Sequence, residues 1–167
     1  INISGNIDNS NIKFSKPYNP SFLQNKITKL SFNDTELKFN FHKRKLNNLN
    51  IIGKYKVNDD KYENYKFKNI LNKNLSNYEL SFKFSDKILI ESLNYIKEEK
   101  KIADISSEFS IKKGEIFISN LKFSEGKNLI YLNDVKLNRN NELKSIKSIK
   151  VRTLSLIHIS EPTRLGM

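Results

Sequence analysis

The chain has 167 residues, enough for one ordinary domain with a sizeable core and too few for a large multidomain enzyme. It has no cysteine, which excludes disulfides, zinc ribbons and thiol nucleophiles. The formal charge of +12, from 30 Lys+Arg against 18 Asp+Glu, suits an anionic partner such as nucleic acid or a lipid surface. Yet the excess is nearly all lysine, with arginine only at Arg44, Arg139, Arg152 and Arg164. Lysine, asparagine and isoleucine are over-used together. All three have A/T-rich codons, so genome composition accounts for the charge without a selected ligand.

Alternation of period two dominates the chain. Ile1, Ile3, Gly5 and Ile7 share a face, Asp8 to Asn11 signals a turn, and Ile12 and Phe14 resume the alternation. Lys16-Pro17-Tyr18-Asn19-Pro20 marks a linker. Ile27, Leu30 and Phe32 form a weaker strand that ends at Asn33-Asp34, and Leu37, Phe39 and Phe41 follow as its hairpin partner. Ile51, Gly53, Tyr55 and Val57 alternate next, then Tyr65 and Phe67. The cleanest set is Tyr78, Leu80, Phe82 and Phe84. Leu89, Leu93 and Ile96 stand at helical spacing after Ser85-Asp86, which predicts one helix near 86–100, with a strand at 87–90 as the competing reading. Alternation returns at Ala103 to Ile111, turns at Lys112-Lys113-Gly114, and continues as Ile116 and Ile118, then Leu121 and Phe123. After a turn at Ser124-Glu125-Gly126 come Ile130 and Leu132, Val135 and Leu137, and a last run from Leu143 to Val151. The expectation is an all-β protein: an antiparallel meander of about ten strands with at most one short helix. Its apolar face must be covered by closing a barrel, by packing a second sheet, or by curling into an open groove that takes a ligand.

The chain begins inside a strand pattern, without an initiator methionine or signal peptide, which suits an internal fragment of a longer protein. Leu154 to Met167 breaks the style of everything before it and resembles the conceptual translation of a sequencing adapter. Residues 1–153 are therefore read as one β-rich domain and 154–167 as a non-native tail, which removes His158 from consideration.

No catalytic constellation is apparent. His42 stands beside Lys43, Arg44 and Lys45, where positive charge disfavours the imidazolium. Asp59-Asp60 and Glu98-Glu99 are adjacent carboxylates, which on a strand point to opposite faces. Ser106-Ser107 has no histidine base nearby, and the glycines build no phosphate loop. The expectation is a non-enzyme without cofactor or metal. Aromatic and lysine residues interleave at Tyr65-Lys66-Phe67-Lys68 and Phe82-Lys83-Phe84. Alternation puts the rings on one face and the cations on the other, whereas a single-strand binder needs both on one face. Nucleic acid is therefore the weaker expectation, although Lys112-Lys113 and Lys144, Lys147 and Lys150 keep it as an alternative.

The stretch Phe109 to Gly126, with its turn glycines Gly114 and Gly126, resembles the strand–glycine turn–strand unit of the AsmA-like superfamily, which includes TamB- and YhdP-type envelope proteins. Ile1 to Phe14 has a similar look. The chain is poorer in glycine than that family and shows no N-terminal membrane anchor. The resemblance implies a periplasmic segment of a protein anchored in the inner membrane, whose β-groove carries phospholipid between the two membranes for outer-membrane biogenesis. The implied groove lining is the purest apolar stripes: Leu37, Phe39, Phe41, Tyr78, Leu80, Phe82, Phe84, Ile116 and Ile118. The alternative is a structural or adhesive surface module in which the same side chains form a dry core.

Overall fold

The computed structural model describes residues 1–41, 47–71 and 76–153. The strands are β1 (Asn2–Tyr18), β2 (Ile27–Asn40), β3 (Asn47–Val57), β4 (Glu63–Leu71), β5 (Ser76–Phe84), β6 (Ile88–Ile90), β7 (Tyr95–Lys97), β8 (Ala103–Lys112), β9 (Glu115–Glu125), β10 (Asn128–Leu137) and β11 (Leu143–Arg152). Nine of them form one open antiparallel sheet in the order β1-β2-β3-β4-β5-β8-β9-β10-β11, and β6 and β7 pair separately. The meander follows from the short polar turns. Lys113 and Gly114 both take positive φ, as a tight two-residue hairpin requires, and Gly126 takes φ 56° in the next turn.

Cross-strand partners share a face, so the registers define apolar rows running across the strands. One row is Gly5, Leu37, Ile51, Phe67, Leu80, Ser107, Leu121, Leu132 and Ile149. A second is Ile3, Phe39, Leu49, Asn69, Tyr78, Phe109, Ile118, Val135 and Ile146. A third contains Ile7, Thr35, Tyr65, Phe82, Ile105, Phe123, Ile130 and Val151, with Gly53 between Thr35 and Tyr65. The opposite face carries lysine, serine, asparagine and glutamate.

Three expectations change. The turn at Asp8 to Asn11 is absent, because β1 runs unbroken through it. The break at Asn33-Asp34 is a bulge inside β2, where Asp34 takes φ 48° and the register to β3 shifts. An extra residue also runs through β9, β10 and β11: the register slips between β8 and β9, and Asp134 takes φ 51°. One extra residue reverses the alternation without ending the strand. A periodicity break therefore looks like a turn. The predicted helix near 86–100 is instead the β6–β7 hairpin with a 3₁₀ turn at Glu91–Leu93, closed by Asn94 in the left-handed region. The helical triad Leu89, Leu93 and Ile96 is not the buried set. Ile88, Tyr95 and Lys97 are, in strand alternation.

This hairpin caps one end of the apolar face. Ile88 and Tyr95 pack with Val57, Phe84, Ala103, Phe123 and Ile130, flanked by Leu23, Ile90 and Leu93. Ile88 bridges to Leu23, and the Leu89 N–H donates to the Phe22 carbonyl at 2.9 Å, so the segment after β1 joins the cap.

Gly53 packs directly against Thr35 of the neighbouring strand. A β-carbon there would strike the Thr35 hydroxyl and stand 2.9 Å from the Thr35 backbone Cα. Gly53→Ala is expected to destabilise the fold by about 1–3 kcal/mol through overpacking, measured by urea denaturation.

Candidate functional site: the uncapped apolar face

Beyond the cap, the rows through Leu37 and Phe39 continue across the sheet largely half-buried, with no second layer over them among the described residues. Leu37 and Leu80 stand in the first row, Phe39, Tyr78 and Ile118 in the second, and Phe82 in the third. Tyr78 stacks on Phe109 with ring centroids 4.9 Å apart, and Tyr55 meets Phe82 edge-on at 6.0 Å. Ile116 lies at the far end opposite Ile111 and Leu137. Phe41 lies beyond β2, 43% exposed, and exchanges two main-chain bonds with Ile1. Phe84 belongs to the capped core. Thus the structure gathers Leu37, Phe39, Tyr78, Leu80, Phe82 and Ile118 on one face, and separates Phe84 under the cap from Phe41 and Ile116 at the rim.

The same rows add Phe67, Phe109, Leu121 and Val135, which pattern reading treated as ordinary strand positions, and Leu49, which it passed over. Their signal was the same alternation, obscured in β9 and β10 by the extra residue. Two hollows involve these rows only in part: Tyr78, Phe109, Ile118 and Val135 border one, and Phe82 borders the other. Open depressions of about 760 and 520 Å³ are bounded mostly by polar-face residues, among them Glu79, Glu108, Ser110 and Lys136 in the first and Lys66, Ser81 and Ser106 in the second. The apolar face is a broad surface instead.

Several lysines of the polar face are paired with carboxylates. Lys54 meets Asp34 at 2.8 Å, Lys68 meets Glu79 at 2.8 Å, Lys144 meets Glu115 at 2.9 Å and Lys147 meets Asp134 at 3.1 Å. Two of the lysines weighed for nucleic acid, Lys144 and Lys147, are thus already paired. Lys43 to Lys45 and His42 lie outside the described residues. Among the described residues no group of three His, Cys, Asp or Glu could hold a metal ion, and no helix is long and apolar enough to cross a membrane.

The polar anchor of the cap had no sequence signal, because Lys97 sits in a run of charged residues. Its ammonium is fully buried and donates to the carbonyls of Ser85 at 2.8 Å, Asp86 at 2.6 Å and Glu98 at 3.3 Å. Burial pulls its pKa below the usual lysine range, opposed by the charges of Asp86, Glu125, Asp60 and Glu63. Burial pushes the Tyr95 hydroxyl up, and the Glu125 carboxylate that accepts its proton at 3.1 Å adds to the shift.

The Asp86 carboxyl is pushed up to about 6, first by burial, then by its hydrogen bond to Asp60 and by the charges of Asp60 and Glu99, while Lys97 opposes the rise. The folded value lies above the ordinary carboxylate value of about 4, so the folded state holds the extra proton. Stability from this group is fully present below about pH 4 and is lost as pH rises through about 6. The melting temperature is therefore expected to fall over that window, and Asp86→Asn to flatten the fall. Because the group is partly exposed, water screens the effect to a few degrees.

No family model matches the chain, and no curated protein or solved structure does.

Proposed function

We propose that this chain is a non-enzymatic lipid-handling segment of an AsmA-like envelope protein. Its uncapped apolar face holds phospholipid acyl chains in transit between membranes, with the polar face turned to water. The supporting observation is the set of apolar rows crossing all nine strands and covered, among the described residues, only where the β6–β7 hairpin and the segment after β1 lie. Each methylene moved from water onto such a surface contributes about 0.8 kcal/mol, so several acyl carbons suffice for useful affinity. In this reading the protein works in the periplasm, anchored in the inner membrane by a segment outside these residues.

The test is native mass spectrometry of the chain purified gently from cells, with solvent extraction of bound molecules. Phospholipid is expected to co-purify. It is expected to fall at least about tenfold when Leu37→Asp and Leu80→Asp place charges in the first row, which an acyl chain cannot solvate. Unchanged circular dichroism keeps that loss distinct from unfolding. A lipid-free, cooperatively folded chain would sink the proposal.

One observation favours a second reading, a structural module that lays this face on another protein. The larger depressions are bounded mostly by the polar face, and a broad apolar surface suits a second sheet as well as it suits acyl chains. The lipid-free outcome selects that reading.

A further inference from the structure

The two depressions on the polar face differ in charge. The larger sets Glu79, Glu108 and Asp134 against Lys136 and Lys147. The smaller, about 520 Å³, sets Lys66, Lys83 and Lys122 against Asp104 alone. It lies over β4, β5, β8 and β9, in the middle of the sheet. Lys54, Lys68, Lys144 and Lys147 on the same face each meet a carboxylate. Among the described residues, Lys66, Lys83 and Lys122 meet none.

The register explains how these cations gather. Lys66 on β4, Ser81 on β5, Ser106 on β8 and Lys122 on β9 are successive cross-strand partners, so they form one row. Neighbouring strands lie about 4.8 Å apart, so each lysine stands one strand away from a serine, and the serines one strand from each other. Lys83 follows Ser81 on the same face of β5. Ile52 ends the row beyond Lys66 and is 49% exposed. The hydroxyls of Ser107, Ser119 and Ser124 donate to main-chain carbonyls. Those of Ser81 and Ser106 have no partner among the described residues.

From this arrangement we propose that the depression is a binding site for a phosphate monoester. The Ser81 and Ser106 hydroxyls donate to the phosphate oxygens from the floor. Lys66 and Lys122 close on the group from opposite sides, Lys83 supplies a third cation, and Ile52 flanks the esterified organic group. Such a phosphate carries about −1.5 to −2 charge at neutral pH and three strong acceptor oxygens, which suits three ammoniums and two hydroxyls. Lysine serves phosphate as a point charge. A carboxylate brings less charge and fewer acceptors. The rows on either side carry Glu79 and Glu108, and Asp104. They confine the positive patch to the space of one phosphate. The site faces away from the apolar rows, so it does not rest on the lipid-handling reading.

The test is calorimetric titration of the full chain with phenyl phosphate at about 0.1 M salt, where charges more than about 10 Å away are screened. Saturable binding is expected, tighter than that of inorganic phosphate, because the ring lies on Ile52. Lys66→Gln with Lys122→Gln is expected to weaken it at least about tenfold, and Ser81→Ala with Ser106→Ala at least about fivefold. These side chains stand on the polar face, and unchanged circular dichroism keeps the loss distinct from unfolding. Lys112→Gln with Lys113→Gln removes the same charge about 20 Å along β8 from Ser106. That pair is expected to leave affinity within about twofold. A second arm measures flotation with phosphatidylcholine vesicles, with and without phosphatidic acid, a membrane-borne phosphate monoester. Binding to phenyl phosphate that Lys66→Gln with Lys122→Gln removes assigns a soluble ligand. Binding only to phosphatidic acid vesicles, removed by the same pair, assigns a lipid headgroup. No binding in either arm overturns the proposal. So does an equal loss in the Lys112→Gln, Lys113→Gln control, which would trace binding to net charge alone.

Discussion

Tyr95→Ala is expected to destabilise the protein by about 3–4 kcal/mol, the range for removing a large buried aromatic ring. Tyr95 is 2% exposed and meets Phe123 edge-on at 5.6 Å. It joins the β6–β7 cap to β9 with both its ring and its hydroxyl, which donates to Glu125. Truncation opens a cavity under the cap and also takes the hydroxyl donor from the Glu125 carboxylate, which keeps Asn128 at 2.6 Å and the Lys101 ammonium at 3.9 Å. Phe takes the ring's place without the hydroxyl, so Tyr95→Phe is expected to cost only about 1 kcal/mol. Chemical denaturation of the pair separates the packing effect from the hydrogen bond. Near-equal losses would show that the hydroxyl, not the ring, holds the cap.

Lys97→Met is expected to cost about 2 kcal/mol. Three carbonyls lose the ammonium, though that of Ser85 keeps the Lys100 N–H at 3.0 Å, and unsatisfied buried acceptors cost about 1–3 kcal/mol each. Against that loss, methionine relieves the desolvation of a fully buried ammonium, the same burial that depresses the lysine pKa. The carbonyls belong to the turn after β5 and to the residue following β7. The substitution therefore loosens the base of the hairpin before the nine-stranded sheet. Hydrogen exchange is expected to rise at residues 85–100 while protection in β8 and β9 holds. A uniform rise over the whole sheet would show instead that the cap and sheet unfold as one unit.

The meander was legible because each strand alternates and each connection is short and polar. The clean stripes Leu37-Phe39 and Tyr78-Leu80-Phe82 did fall on one face, as expected. The false turn at Asp8 to Asn11 and the false break at Asn33-Asp34 share one cause. An inserted residue reverses the side-chain alternation while the main-chain ladder continues, and a pattern of side chains alone cannot tell the two apart. The helix expected near 86–100 failed for a different reason. Over so few residues, Leu89, Leu93 and Ile96 fit one helical face while Ile88, Ile90, Tyr95 and Lys97 fit two short strands, and packing on Phe84 and Phe123 chose the strands.

The sequence by itself determined that this protein is antiparallel β, with one apolar and one lysine-rich face, because period-two patterning is a local property of each strand. Tertiary structure alone decided three further features. It left the sheet open, it folded the β6–β7 hairpin over one end of the apolar face, and it buried Lys97 in the midst of charged neighbours. Each of these depends on where residues distant along the chain meet. A lysine becomes an internal donor only when three carbonyls converge on it. An apolar stripe becomes core or open surface according to what lies over it.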